Sequence, residues 1–437
     1  MVLSWLAMRS QGAYAEIASP VQNRRFDRAL AEQWIRNGEL SRLRPLLYEA
    51  AVDAVSELEW LQRVASAAMR RGELALASRC LQLVAEIRWG TAIRPQTAEF
   101  VGRPLPLHPE PRFLTASKLV HDAAQFRYLQ SLGVLGAEFD PVIGEYEAIS
   151  RELKAGHAWR VPLDGPLYER VGAVFNLMAN TRETPRLQRA LSLTWDGAAI
   201  EAAYDAAPLG VVVIDNFLTA DALREVRAYC LESTVWTGNR YAHGRLGAFF
   251  HDGFNCPLLI QIAEEVRGAF PNLLGNRYPL RQLWAFKNTE CLPADVTTHA
   301  DFAAVNVNFW ITPDDANLEP DRGGLVVHGV EAPLGWGFDT YNSRSDVIRA
   351  FLRATRTEPL RIPYRQNRAI IFNSDLFHAT DKVTFRPEYE NHRINVTMLF
   401  GDRQNDHAHH VGATAGQGLP ASRSWRSKSF SLARRMR

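Results

Sequence analysis

The sequence predicts an α+β fold in which a helical N-terminal region precedes a β-rich jelly roll with flanking helices. Three features predict it: apolar residues recur at helical spacing in the first half, short β-branched runs bounded by turn residues follow from about residue 195, and long links join some of these runs. Many short strands with turn signals are typical of sandwiches and barrels, and long links favour a jelly roll over a meander. Because no apolar run approaches the roughly 18 residues of a membrane span, we expect no membrane partner.

Residues 1–92 show a pattern of paired helices. Two apolar stripes at helical spacing are each followed by a glycine, Gly72 and Gly90, that can end a helix. The stripes are Leu61, Val64, Ala65 and Ala68, then Ala77, Cys80, Leu81, Val84 and Ile87. Such a helical hairpin resembles one tetratricopeptide unit, which would bind a protein partner, but no second copy follows at a fixed period. A plain helical bundle fits the pattern equally well.

Residues 93–190 are predicted to be a linker followed by further helices. Five prolines between positions 95 and 111 remove backbone donors and oppose regular structure there. Helical periodicity resumes at 116–132, and Asp140-Pro141 is typical of a helix start.

Residues 191–402 are predicted to form the β-rich domain. A helix capped by Thr219 follows the first strand, and another helix at 345–355 is inserted between strands. The predicted strands are 209–214, 283–286, 305–311, 324–327, 369–372 and 394–400.

The charge distribution separates a basic tail from the rest of the chain. Residues 403–437 hold seven Lys/Arg and one Asp, a charge of +6, so the total of +2 leaves −4 on the preceding 402 of the 437 residues. A near-neutral body gives no electrostatic reason to expect a nucleic-acid partner. We expect the tail to be flexible.

Cysteine usage favours a reducing compartment. The chain has four cysteines and no CxxC pair, fewer than a secreted disulfide scaffold would carry. Residues 1–18 lack the apolar stretch and cleavage pattern of a signal peptide. The sequence therefore predicts a cytoplasmic protein with free thiols.

A metal site is the main chemical prediction. His299 and Asp301 stand at positions i and i+2, which point the same way in an extended chain. His378 follows a strong strand much later and can complete the set. Two histidines and one carboxylate on one face of an octahedron leave three positions open, which is the ligand pattern of non-haem Fe(II) oxygenases.

Further residues are candidates for binding an anionic co-substrate. Arg393 begins the last predicted strand, and a guanidinium can hold a carboxylate through two parallel hydrogen bonds. Asn395, two residues on, can face the same side, while Arg386 is a rival anchor. Trp284 and Asn308 alternate with apolar neighbours on their strands, which fits pocket lining or ordinary packing.

With these residues in this order, the segment from about 210 to 402 resembles the Fe(II)/2-oxoglutarate-dependent dioxygenases. The resemblance implies a double-stranded β-helix, iron bound by His299, Asp301 and His378, and Arg393 on the distal carboxylate of 2-oxoglutarate. It implies Fe(II), 2-oxoglutarate and O2 as cofactor and co-substrates. The sequence departs from the family in two ways. The interval between His378 and Arg393 is longer than usual, and position 395 holds asparagine where many members have serine.

The predicted activity is hydroxylation of an amino acid, a peptide side chain or a natural-product intermediate, with release of succinate and CO2. Arg393, where prolyl hydroxylases commonly have lysine, weakens the case for a peptidyl-prolyl substrate. Asp301, where halogenating relatives have a small residue, favours oxygenation. Two alternatives stay open: a non-catalytic interaction protein, and a cupin-type metal enzyme that does not use 2-oxoglutarate.

Overall fold

A computed structural model describes residues 27–43, 54–94, 99–101, 113–239, 241, 244–294 and 298–403. All five prolines of the predicted linker, and every residue of the predicted tail after Arg403, lie outside these ranges. Within them, no helix is both long and apolar enough to cross a membrane. The predicted α+β class is confirmed at the level of helices combined with antiparallel sheets.

Helices dominate the first half of the described chain. Gly72, with φ +75°, separates α2 from α3 at the predicted break, and the two helices pack against each other. The tetratricopeptide interpretation stays a prediction. The helices are α1 (Arg28–Asn37), α2 (Ala54–Arg71), α3 (Leu74–Trp89), α4 (Ala116–Ser131), α5 (Asp140–Ala155), α6 (Gly165–Val171), α7 (Gly197–Ala206), α8 (Ala220–Glu232), α9 (Pro257–Ala269), α10 (Phe338–Ser343) and α11 (Ser345–Thr355).

The strands build one large and one small antiparallel sheet, with two short two-stranded pairs, β1 with β2 and β3 with β4, outside them. The strands are β1 (Thr91–Arg94), β2 (Glu99–Val101), β3 (Phe113–Leu114), β4 (Val161–Pro162), β5 (Val211–Ile214), β6 (Arg245–Phe249), β7 (Leu280–Asn288), β8 (Val305–Trp310), β9 (Leu325–Glu331), β10 (Leu360–Ile362), β11 (Ala369–Asn373), β12 (Leu376–Thr380) and β13 (Arg393–Phe400). The large sheet has the order β5-β11-β8-β13-β7-β6, and the small sheet has the order β10-β9-β12.

The two faces of the large sheet are defined by the period-2 alternation of its central strands. One face, called the outer face here, joins the core shared with the helices; its members on β8 and β13 are Val305, Val307, Phe309, Ile394, Val396 and Met398. The opposite, inner face packs against the small sheet through a cluster that includes Trp310, Val327 and Phe372. The inner-face residues of β8 and β13 are Asn306, Asn308, Trp310, Arg393, Asn395 and Thr397. The candidate site therefore lies on the inner face.

The N-terminal helices contribute to the same core as the large sheet. Leu83 of α3, Cys230 of α8 and Leu259 of α9 belong to one buried cluster with the outer-face side chains. Burial of these side chains stabilises the sheet by roughly 1.5–3 kcal/mol for each fully buried aliphatic side chain. The domain boundaries predicted near residues 92, 190 and 402 stay predictions.

Candidate metal centre

Backbone pairing brings the two histidines together. His299 precedes β8 and His378 lies in the middle of β12, and the two residues form an antiparallel bridge. The amide of His299 donates to the carbonyl of His378 at 3.0 Å, and the amide of His378 donates to the carbonyl of His299 at 2.8 Å. Their imidazole centroids are 4.6 Å apart. The local chain path therefore places both rings side by side.

Asp301 completes a compact set of three potential ligands. Its Oδ1 lies 3.7 Å from Nε2 of His299, and its Oδ2 lies 3.4 Å from Nε2 of His378. The ligand atoms of all three residues lie within 4.8 Å of one another. Two donors that each bind one ion at about 2.1 Å are separated by roughly 3 to 4 Å. Both separations from Asp301 thus fit a shared metal ion.

A hydrogen bond selects the nitrogen that His378 presents. Its Nδ1 lies 2.9 Å from the carbonyl oxygen of Leu376, which can only accept a hydrogen bond. Nδ1 therefore donates, and Nε2 is the ring nitrogen that His378 presents on the side of Asp301. Such a partner for the second nitrogen is a usual feature of metal-binding histidines.

Asp301 is oriented and kept ionised by its neighbours. Nδ2 of Asn306 donates to Oδ2 of Asp301 at 2.6 Å, and Asn306 in turn accepts from the hydroxyl of Ser374 at 2.6 Å. Burial tends to raise the pKa of Asp301, but the hydrogen bond with His378 and the charges of both histidines outweigh it and lower the pKa to about 2. The carboxylate is therefore available as an anionic ligand at neutral pH.

The α10 helix supports the segment that carries His299 and Asp301. Between those two residues, Ala300 donates its amide proton to the carbonyl of Tyr341 at 2.9 Å and accepts a hydrogen bond from Asn342 Nδ2 at 3.1 Å. Ala300 also belongs to a small apolar cluster with Tyr341. These contacts fix the backbone between the two ligands.

Arg393 is a buried cation without an acidic partner. Only 1% of the residue is exposed, and its guanidinium donates to the carbonyls of Gly323 and Gly324 and to Oδ1 of Asn395. Within the described part of the chain, no carboxylate lies at ion-pair distance from it. Burial lowers the pKa of Arg393 to about 9, so the group stays charged at neutral pH. The rival anchor, Arg386, is exposed.

The other predicted binding residues occupy different environments. Asn395 is engaged at both ends, accepting from Arg393 at 3.1 Å and donating to Thr397 at 3.2 Å, so it orients the guanidinium. Asn308 is 7% exposed, and its Oδ1 has no partner among the described residues. Trp284 is half-buried on the inner face of β7, opposite Thr397, with its ring 6.4 Å from that of Phe286.

Two inner-face residues were not anticipated from the sequence. Asn288, at the end of β7, is paired in register with Arg393 of β13 and with Arg245 of β6. Extending the alternation of Trp284 and Phe286 by one step would have identified Asn288. Arg245 carried no such signal, because the glycine-rich stretch around β6 resembles a loop rather than a strand.

Comparisons with known proteins give distant similarities only. No family model and no curated protein matches the chain. The chain is similar to the α-ketoglutarate-dependent epimerase SnoN from nogalamycin biosynthesis (14% identity, TM-score 0.32, 47% of this chain and 84% of that chain). It is also similar to a prolyl-4-hydroxylase of Pseudomonas putida (14% identity, TM-score 0.30, 47% of this chain and 99% of that chain). A third similar structure is HygX of Streptomyces hygroscopicus, solved with nickel and 2-oxoglutarate (11% identity, TM-score 0.33, 49% of this chain and 88% of that chain). Similarities at this level assign neither a family nor an activity.

Proposed function

We propose that this chain is an Fe(II)- and 2-oxoglutarate-dependent oxygenase that hydroxylates an amino acid, a peptide side chain or a natural-product intermediate. The observation that carries the proposal is the buried cation Arg393 on the same inner face as the cluster of His299, Asp301 and His378. A metal cluster alone suits several enzyme classes, including cupin-type enzymes. A buried guanidinium with no carboxylate partner in the described residues requires an anion beside it. The distal carboxylate of a keto-diacid co-substrate would supply that anion.

The three candidate ligands suit ferrous iron. His299 and His378 would supply neutral imidazole nitrogens, and Asp301 would supply a carboxylate oxygen held in place by Asn306. Two histidines and one carboxylate on one side of an ion leave its other positions open for co-substrates. His299 is the most accessible of the three, with 22% of its side chain exposed, so the open side faces solvent and incoming molecules.

Arg393 would bind the distal carboxylate of 2-oxoglutarate. The carbonyls of Gly323 and Gly324 fix the position of the guanidinium, and Asn395 fixes its plane. Bidentate pairing of a guanidinium with a carboxylate is directional, and burial strengthens it because little water competes. Asn308, whose Oδ1 lacks a partner among the described residues, would contact bound ligand between Arg393 and the metal cluster.

When bound, Fe(II), 2-oxoglutarate and O2 supply the oxidising chemistry, in which one oxygen atom enters the substrate, the other enters succinate, and CO2 leaves. The contribution of the chain is to bind, orient and exclude water. Trp310 and Phe372, both buried, belong to the apolar cluster beside the inner-face polar residues. This apolar surface keeps bulk water away from the reacting groups.

Several finer features belong to the same proposal. The two antiparallel sheets, packed through one apolar cluster, support a double-stranded β-helix. All four cysteines are free, which supports a cytoplasmic setting. The helices within residues 1–92 would be the site of any protein partner.

The direct test is an anaerobic titration with Fe(II) and 2-oxoglutarate. The wild-type protein should develop the weak visible absorption of an iron–keto-acid chelate and should release succinate when O2 is admitted. His299→Ala should do neither, because one of three ligands is missing. His157→Asn removes an exposed histidine from a turn with positive φ, which asparagine tolerates, and should behave as the wild type. A wild-type protein that stays colourless and leaves 2-oxoglutarate unconsumed would refute the proposal.

A further inference from the structure

Three polar residues form a row across one end of the large sheet. Arg245 of β6 is paired in register with Asn288 of β7, and Asn288 is paired with Arg393 of β13. Residues directly opposite each other in antiparallel strands lie on the same face. All three therefore lie on the inner face, with the two arginine backbones roughly 10 Å apart, since neighbouring strands are about 4.8 Å apart.

The side-chain amide nitrogen of the central member has no hydrogen-bond acceptor among the described residues. Asn288 is 3% exposed, and its Nδ2 has no acceptor within the described residues. A buried donor without an acceptor is rare in native proteins and indicates that something else completes it. Because Asn288 stands between two arginines in the strand register, the group that best completes its amide is an anion.

Arg245 is buried and lies against aromatic rings of the inner face. The residue is 8% exposed, and its guanidinium lies 3.9 Å from the ring centre of Phe286 and 5.7 Å from that of Tyr241. Burial lowers the pKa of Arg245, while Tyr241 and the carboxylate of Asp301 oppose that fall. Contact with the face of Phe286 preorganises the guanidinium.

We infer that Arg245 and Asn288 form a second anion-binding subsite, which holds a carboxylate of the substrate while Arg393 holds 2-oxoglutarate. The inference rests on the proposed function. A guanidinium pairs with one carboxylate through two parallel bonds, so two guanidiniums on strands about 10 Å apart match two acids better than one. Arg393 is tied to Gly323 and Gly324, whereas Arg245 lies on the other side of Asn288.

The side chains around this subsite indicate the shape and polarity of the rest of the substrate. Phe249, Trp284 and Phe286 form a chain of edge-to-face contacts on the inner face, with centroid distances of 6.0 to 6.5 Å. At Gly247, between Arg245 and Phe249, an added Cβ would lie 2.8 Å from the Phe249 ring, so glycine lets that ring lie close to the strand. The substrate class is therefore a small carboxylic acid with an apolar or planar body, such as a free or N-acylated amino acid.

The test compares carboxylic acids with their neutral amides. The probes are N-acetyl amino acids and aryl-propanoic acids, each paired with its primary amide and added anaerobically to protein loaded with 2-oxoglutarate and Fe(II). Relaxation of the probe protons by Fe(II), against a Zn(II)-loaded reference, reports binding near the metal. In the wild type, acids of the panel should bind at least tenfold more tightly than their amides. Arg245→Gln should abolish that preference, and Asn288→Leu should reduce it.

The controls separate this subsite from the proposed function. Arg281→Gln removes another arginine of the same sheet, one that bonds Asp402, and should keep the preference for acids. Arg245→Gln should still develop the iron–2-oxoglutarate absorption. If the wild type develops that absorption yet binds no acid better than its amide, the subsite is refuted and the proposed function stands. If Arg245→Gln loses the absorption itself, Arg245 serves 2-oxoglutarate and the inference is wrong. A wild type without the absorption refutes the proposed function.

Discussion

Lys287 and Asn288 are neighbours on β7, yet their side chains leave the strand on opposite faces and meet different surroundings. Lys287 is fully buried on the outer face, where its ammonium lies 3.1 Å from Nε2 of His121 and 4.1 Å from the ring centre of Tyr389. Asn288 is buried on the inner face, where its amide nitrogen has no acceptor among the described residues. The same strand thus borders two polar clusters. In the outer cluster the named side chains have hydrogen-bond partners within the protein, and we call it complete; in the inner cluster the amide nitrogen of Asn288 has none among the described residues, and we call it incomplete.

The outer cluster satisfies its members internally. Lys118 and Asp122 form an ion pair one helical turn apart on α4, with side chains only 3% and 8% exposed. Asp122 also lies 2.9 Å from Nδ1 of His121, whose Nε2 faces Lys287. Lys118 and Asp122 are therefore paired with each other, and the Lys287 ammonium has the His121 nitrogen as a hydrogen-bond acceptor. This cluster links α4 to the sheet, whereas on the inner face Arg393 has no carboxylate partner and the Asn288 amide nitrogen has no acceptor among the described residues.

The largest expected effect comes from breaking the complete cluster. Asp122→Ala leaves the Lys118 ammonium buried without its counter-ion, and such losses cost about 3–5 kcal/mol. We expect the free energy of unfolding, measured by urea denaturation, to fall by about that amount. The iron–2-oxoglutarate absorption of the remaining folded protein should be unchanged, because the cluster lies on the other face of the sheet.

A double variant tests the reason for that loss. In Lys118→Met with Asp122→Leu, both charges are replaced by apolar groups of similar size, which is often neutral for stability. Most of the lost unfolding free energy should return. If the double variant is as unstable as Asp122→Ala, then packing of α4 rather than the stranded charge explains the effect.

Arg393→Met should weaken 2-oxoglutarate binding strongly and lower stability less, which is the reverse of Asp122→Ala. Loss of two charge-assisted hydrogen bonds, at about 1.5–3 kcal/mol each, should weaken 2-oxoglutarate binding by about 100-fold or more in the anaerobic titration. Unfolding free energy should fall less than in Asp122→Ala, because no carboxylate is stranded. Arg386→Met, on the exposed neighbouring loop, is the matched control and should bind as the wild type does. If Arg386→Met instead carries the loss, the anchor is assigned to the wrong arginine.

The sequence was sufficient for many of the elements and for the grouping of the three candidate metal ligands, although β6 and β12 were not predicted. The helix predicted at 345–355 is present as α11 over those residues, and the strand predicted at 305–311 is present as β8, one residue shorter. The spacing of His299 and Asp301 and the strand before His378 were local signals, and the structure brings those three side chains together. Local patterns were enough because each residue is positioned by its own strand or by a single bridge.

Cross-strand relations could not be predicted, because they depend on register. Asn288 matters through its pairing with Arg245 and Arg393, and strand pairing over such separations leaves no trace in any one segment. The role of Lys287 could not be predicted either, because it is a polar residue at an outer-face position whose partners are distant in the sequence. Its partners His121 and Tyr389 come from α4 and from the turn before β13. The difference between a complete and an incomplete cluster therefore appears only in three dimensions.

The smallest expected effect, taken per pH unit, is a pH dependence of stability arising from the outer cluster. Burial, reinforced by the charge of Lys287, lowers the pKa of His121 to about 3, although Asp122 opposes the fall. Between about pH 3 and the unfolded value of roughly 6.5, the unfolded chain binds the extra proton, so unfolding free energy rises with pH by up to about 1.4 kcal/mol per unit. His121→Gln should lower that slope by about this amount in urea denaturation from pH 4 to 6. An unchanged slope would show that His121 does not titrate on unfolding, and that the histidine is already protonated within the folded outer cluster.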